Sequence, residues 1–183
     1  MPGYVPVEAI WGRGLWVLSG LAVALVAWRP LVRRAGWAPW PTLALTVWVT
    51  LVVSVTSPRS ADPGAAARLG ACVSDPVADI AWSIGIFGTR GLEDVMNVGL
   101  WVPCGLFGVL ATRRAVAAPA LIAAGFVAVE LLQSLDAGRW CDPGDWAYNS
   151  FGVAAGALVA VVLRRWRASG DIGGDGDGAP AVG

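Results

Sequence analysis

Asn97, Glu130, Gln133, Arg139, Asp142, Asp145 and Asn149 are the residues of this 183-residue chain whose types and spacing could do chemistry. They stand inside or at the rims of apolar runs, where an uncompensated charge costs several kcal/mol. Residues in such places pair, pack or mark a site. Glu130 and Gln133 are three apart and Asp145 and Asn149 four apart, so each pair shares one face of a helix. Between them runs Asp136-Ala-Gly-Arg139-Trp-Cys-Asp142-Pro-Gly-Asp145, one arginine among three aspartates just beyond Glu130. That composition points to an ion-pair network or a small polar chamber, with Arg139 paired to Glu130 or Asp142. Carboxylates beside an arginine could also act as general acid and base, with Glu130 or Asp142 in that role. Each residue has a plainer reading as well: Asp145, after Pro-Gly, reads as a helix N-cap, and Asn149 as a bridge between helices.

Other chemistries fall away on composition. The chain has no histidine, which removes imidazole acid–base catalysis, His-ligated metals and Ser-His or Cys-His nucleophile pairs. The acidic oxygens match no dedicated calcium-loop spacing, and no metal or cofactor is expected. The formal net charge is zero, with all 13 basic residues arginine against 13 acids, so no global field recruits nucleic acid. Three cysteines, Cys72, Cys104 and Cys141, cannot make a structural zinc site alone.

The elements that must position the polar residues are transmembrane helices. Hydrophobic residues make up 56% of the chain and charged ones 14%, with mean hydropathy +0.63, well short of the roughly 25% charge of a soluble domain. Five stretches are long enough, or nearly so, to cross a bilayer: residues 9–28, 37–57, 95–111, 115–135 and 146–163. The expected fold is therefore all-α, a polytopic transmembrane bundle of about five spans. Span three carries Pro103, which predicts a kink. Of 11 tryptophans, seven sit near span ends (Trp11, Trp28, Trp37, Trp40, Trp140, Trp146 and Trp166), where indole favours the interface. Residues 1–57 hold two leading spans, 58–94 a long extracytoplasmic loop, 95–167 a three-helix core, and 168–183 a Gly- and Asp-rich tail expected to be disordered. Within the loop, residues 77–88 are apolar but too short to span, which fits an interfacial or re-entrant helix or a loop folded over the bundle.

Arginine placement sets the orientation. Arg29, Arg33, Arg34, Arg113, Arg114, Arg164, Arg165 and Arg167 gather on one side in short segments, whereas Arg13, Arg59, Arg68, Arg90 and Arg139 are spread on the other. The positive-inside rule puts the N-terminus outside and the C-terminus in the cytoplasm of a multi-pass protein. Cys72 and Cys141 then both face outward, where a disulfide between them would persist, while Cys104 is a small buried hydrophobe in span three. By helix rise, Asn97, Glu130 and Asn149 lie roughly 5, 8 and 6 Å inside their helix ends, at similar depth in the outer leaflet. Gly152 and Gly156 continue the Asn149 face as G-x-x-x-G, and Trp101, Gly105 and Gly108 continue the Asn97 face, so both faces point inward.

Two runs resemble the VanZ-like family. Glu130-Leu-Leu-Gln133, followed by Arg139-Trp-Cys-Asp142-Pro-Gly-Asp145-Trp-Ala-Tyr-Asn149-Ser-Phe-Gly152, carries the family pattern E-x-x-Q and R-x-x-D-x-x-D-x-x-x-N-x-x-G. Asn97-Val-Gly-Leu-Trp101-Val-Pro103-Cys-Gly105 is similar to its N-x-x-x-F-x-P-x-G, with Trp101 where Phe is usual. The resemblance, over about residues 90–165, implies a small bacterial membrane protein of a family whose founding member is associated with teicoplanin resistance. It implies no reaction chemistry.

Three classes of function remain open. The outward polar residues could bind a lipid head group, a wall precursor or a glycopeptide at the cell envelope. They could belong to an enzyme acting on a lipid-linked substrate. They could simply pin the bundle.

Overall fold

Apolar runs broken by Pro, Gly and short basic turns leave the backbone one way to satisfy its hydrogen bonds in lipid, and the described residues form helices joined by short turns. The computed structural model describes residues 7–56, 70, 74–89, 91–133 and 143–171. Among the described residues six helices follow in order: α1 (Val7–Ala35), α2 (Pro39–Thr56), α3 (Pro76–Gly85), α4 (Leu92–Thr112), α5 (Ala117–Gln133) and α6 (Pro143–Asp171). No strand occurs among the described residues. Stretches of α1 (Gly14–Ala35), α4 (Asp94–Thr112) and α6 (Pro143–Ser169) are long and apolar enough to cross a membrane, and α2 and α5 are shorter apolar helices. Large apolar side chains on α1 face outward, among them Trp16 at 70% and Val26 at 74% exposure, which suits contact with lipid rather than water.

Several boundaries differ from the sequence expectation. Helix α1 runs past Trp28 and through Pro30, placing Arg33 and Arg34 in its last turn, where cations oppose the helix dipole favourably. Helix α6 begins at Pro143, a residue suited to a first helical position, so Asp145 lies inside the first turn and is not the N-cap. At its other end α6 extends to Asp171, so residues 168–171 are helical and not part of a disordered tail. Residues 172–183 lie outside the described region. The apolar stretch in the loop is both a helix and folded over the bundle: Asp75 caps α3 by accepting from the Ala78 amide at 3.2 Å, and α3 packs on α6.

The most extensive helix pair is α4 with α6, and glycine makes it so. A Cβ placed on Gly152 would land on the Val98 carbonyl, one on Gly156 on the Val102 carbonyl, and one on Gly105 on the Val153 carbonyl. Without those side chains the two backbones touch. Around this seam Trp101, Cys104, Phe126 and Val153 are buried together, with Val52 of α2 closing the cluster. The Trp101 and Phe126 rings lie 4.1 Å apart and tilted, joining α4 to α5. Two indoles tie backbone across helices: Trp48 of α2 donates to the Leu100 carbonyl at 2.8 Å, in the turn that Pro103 disturbs, and Trp146 donates to the Ala123 carbonyl at 2.9 Å.

Candidate functional site

The glycine seam carries the polar side chains at its upper end. Asn97 lies on α4 in the turn before Trp101, and its Nδ2 donates to Oδ1 of Asp145 at 3.0 Å across the α4–α6 contact. One turn further along α6, Asn149 donates through Nδ2 to Oε1 of Glu130 on α5. That contact is 3.4 Å, at the long edge of hydrogen-bond range, so it is the weaker of the two. Glu130 and Asn149 are each only 6% exposed. Helix α6 is thus the hub: Asp145 faces α4, Asn149 faces α5, and the i, i+4 spacing stacks the two pairs roughly 6 Å apart along its axis.

Each pair sets a carboxylate against an amide donor. Such an arrangement lessens the cost of holding a carboxylate in a water-poor bundle without requiring a countercharge, because a hydrogen bond to a charged group contributes about 1.5–3 kcal/mol.

Beside these pairs sits a layer that sequence reasoning passed over. Asp94, three residues before Asn97 and on the same face of α4, is 1% exposed and accepts from the Gly88 amide at 2.8 Å, holding the α3–α4 turn to the start of α4. The Tyr148 hydroxyl, buried beside Asn149, donates to the Ser83 carbonyl of α3, and the Tyr148 ring packs on Phe87 with centroids 5.2 Å apart. The i, i+3 step from Asp94 to Asn97 was a readable signal. Tyr148 offered none, since its partner is a backbone carbonyl. Under α3, Ile84, Phe87, Val98, Tyr148 and Phe151 line an apolar cavity of about 320 Å³.

Among the expected site residues, Asn97, Asp145, Glu130 and Asn149 are brought into two bonded pairs. Gln133 is the last residue of α5. Arg139 and Asp142, with the expected Arg139 pairing, lie outside the described residues, as do Cys72 and Cys141 and the disulfide expected between them. Cys104 is fully buried in the core cluster. Among the described residues, no three His, Cys, Asp or Glu side chains converge as a metal site would require.

A chain of the VanZ type whose described elements are all helices, three of them fit to cross a bilayer, with carboxylates bonded to amides inside an apolar bundle, is a membrane protein. A family model described as VanZ/LLP1 matches residues 40–164, from the start of α2 to the last turns of α6. The chain belongs to the VanZ/LLP1 family. No characterised protein and no solved structure matches it.

Proposed function

We propose that this is a multi-pass protein of the bacterial cell membrane, with about five spans, its N-terminus outside and its C-terminus cytoplasmic. In that reading it binds the polar head group of an envelope lipid at the outward end of the α4–α5–α6 bundle. Wall precursors and glycopeptides are the neighbouring ligand classes. The observation that carries this reading is the juxtaposition of two kinds of surface. Asn97 and Asn149, with their carboxylate partners, adjoin in sequence Val98 and Tyr148, which line the apolar cavity under α3. An amphiphile presents the matching pair of surfaces, a hydrogen-bonding head and an apolar chain. Gln133, Arg139 and Asp142 follow the same helix ends in sequence and would complete the polar set, with Arg139 serving a phosphate or carboxylate on the ligand.

A second reading has its own observation behind it. Glu130 and Asp145 each accept from an asparagine on a neighbouring helix, an arrangement that also serves helix registration.

Native mass spectrometry of the full-length protein in mild detergent separates the two, run alongside thermal unfolding. Head-group binding predicts a co-purifying lipid or precursor adduct that weakens at least tenfold in Arg139→Gln while the melting temperature holds. Registration alone predicts no specific adduct and a melting temperature that falls in Asn97→Ala. A catalytic version of the site would instead show a ligand mass changed over time in the wild type and unchanged in Glu130→Gln.

A further inference from the structure

At the end of the bundle opposite the polar pairs, the backbone builds a second concave site. Helix α4 ends at Thr112, and Arg113 takes a left-handed conformation with φ 61° while its amide donates to the Val109 carbonyl at 2.8 Å. The amide of Ala38, in the α1–α2 turn, donates to the Ala111 carbonyl at 2.9 Å, locking that turn onto the end of α4. From α6, Arg164 donates through Nη1 to the Arg113 carbonyl at 3.2 Å. Three chain segments are thereby fixed around one cleft of about 390 Å³, lined by Ala38, Pro41, Leu110, Arg113, Arg164 and Arg167.

The electrostatics of this cleft are one-sided. Three of its lining residues are arginines, and no Asp or Glu is among them in the described residues. Arg164 spends one N–H on the Arg113 carbonyl, which holds its planar fork at the cleft and leaves the remaining donors to a ligand. Arg33 and Arg34 end α1 near by in sequence to Ala38, and Arg114 and Arg165 flank the lining arginines, adding to the same positive end. Asp171 closes α6 one turn beyond Arg167. Positive charge gathered only to orient the chain needs no cavity; here one cavity is lined by the apolar residues Pro41 and Leu110 as well as by arginines.

We infer that this cleft binds the phosphate of an anionic phospholipid from the leaflet at the arginine-rich end, with Arg113, Arg164 and Arg167 as its ligands. Guanidinium forks match phosphate oxygens bidentately, and basic pockets between helix ends are where such head groups settle. The apolar lining residues Pro41 and Leu110 take the first methylenes of the lipid chain, which a free phosphate lacks. This inference rests on the membrane class of the chain and is independent of the head-group site proposed at the other end.

The test is a lipid titration of full-length protein read by native mass spectrometry, with phosphatidylglycerol, phosphatidylcholine and inorganic phosphate as probes. Phosphatidylglycerol should bind at least tenfold more tightly than phosphatidylcholine, and the preference should vanish in Arg164→Gln/Arg167→Gln. Arg164→Lys/Arg167→Lys should keep part of it, and Arg29→Gln, which leaves the cleft intact, should keep it whole. Circular dichroism of each variant verifies the helical content. Equal binding of the two lipids, or a preference that survives the double glutamine change, overturns the inference. Displacement of the lipid by inorganic phosphate at comparable concentration overturns it too, since the cleft would then serve a soluble anion.

Discussion

The α4–α6 pair and the α1–α2 pair both use glycine, and what each glycine meets differs. In α4–α6, the space of three missing side chains is filled by the carbonyl groups of Val98, Val102 and Val153, which belong to helix backbone and cannot rotate aside. In α1–α2, a Cβ on Gly20 would meet Thr50 Cγ2 at 2.5 Å and Ser54 Oγ at 2.7 Å, both side-chain atoms with other rotamers to visit. The first contact demands glycine and the second only prefers it. The polar pairs follow the same division, since Asn97–Asp145 bridges this seam and Asn149 extends from it to Glu130 of α5, while α1 packs mainly on α2 and turns large apolar residues outward. The lesson is that a buried hydrogen-bonding group is placed where the surrounding backbone cannot drift.

The sharpest way to break this contrast is to fill the seam. Gly156→Leu should abolish folded yield, and Gly156→Ala should cost at least the roughly 1–3 kcal/mol typical of overpacking, measured by denaturant unfolding in detergent micelles. Glu130→Ala comes next. It removes the acceptor of the Asn149 amide and should destabilise by about 1–3 kcal/mol, the cost of an orphaned buried polar group. If that variant unfolds like the wild type, Glu130 is not part of the packing and the registration reading loses its support. Trp48→Phe deletes the donor to the Leu100 carbonyl and leaves a small void where the larger indole packed against the core, with an expected loss of about 1–2 kcal/mol in the same unfolding measurement. Gly20→Ala should cost least, below about 1 kcal/mol, because Thr50 and Ser54 can rotate. Should Gly20→Ala prove as costly as Gly156→Ala, the two pairs are held by the same kind of contact and the contrast fails.

The sequence by itself determined the helical membrane class, the faces of α4 and α6 and the family. Each follows from local periodicity and composition: runs too apolar for water, Asp145 and Asn149 one turn apart, Gly152 and Gly156 below them. It also held Asp94, at i−3 from Asn97, in plain view. Helix ends were less legible, because Pro143 at the start of α6 and the arginine-bearing C-terminal segments of α1 and α6 extend helices past their apolar stretches, and apolar length is what marks a span. Which amide meets which carboxylate was decided only by the tertiary structure, since Asn97 is 48 residues from Asp145 and helical spacing says nothing across such a gap. The same holds for the indole bonds of Trp48 and Trp146 and for the Tyr148 bond to Ser83, where the acceptors are backbone carbonyls that every residue type carries alike. The basic cleft belongs there too: its arginines are visible one by one in the chain, but the concavity exists only because Ala38 and Arg164 both close on the end of α4.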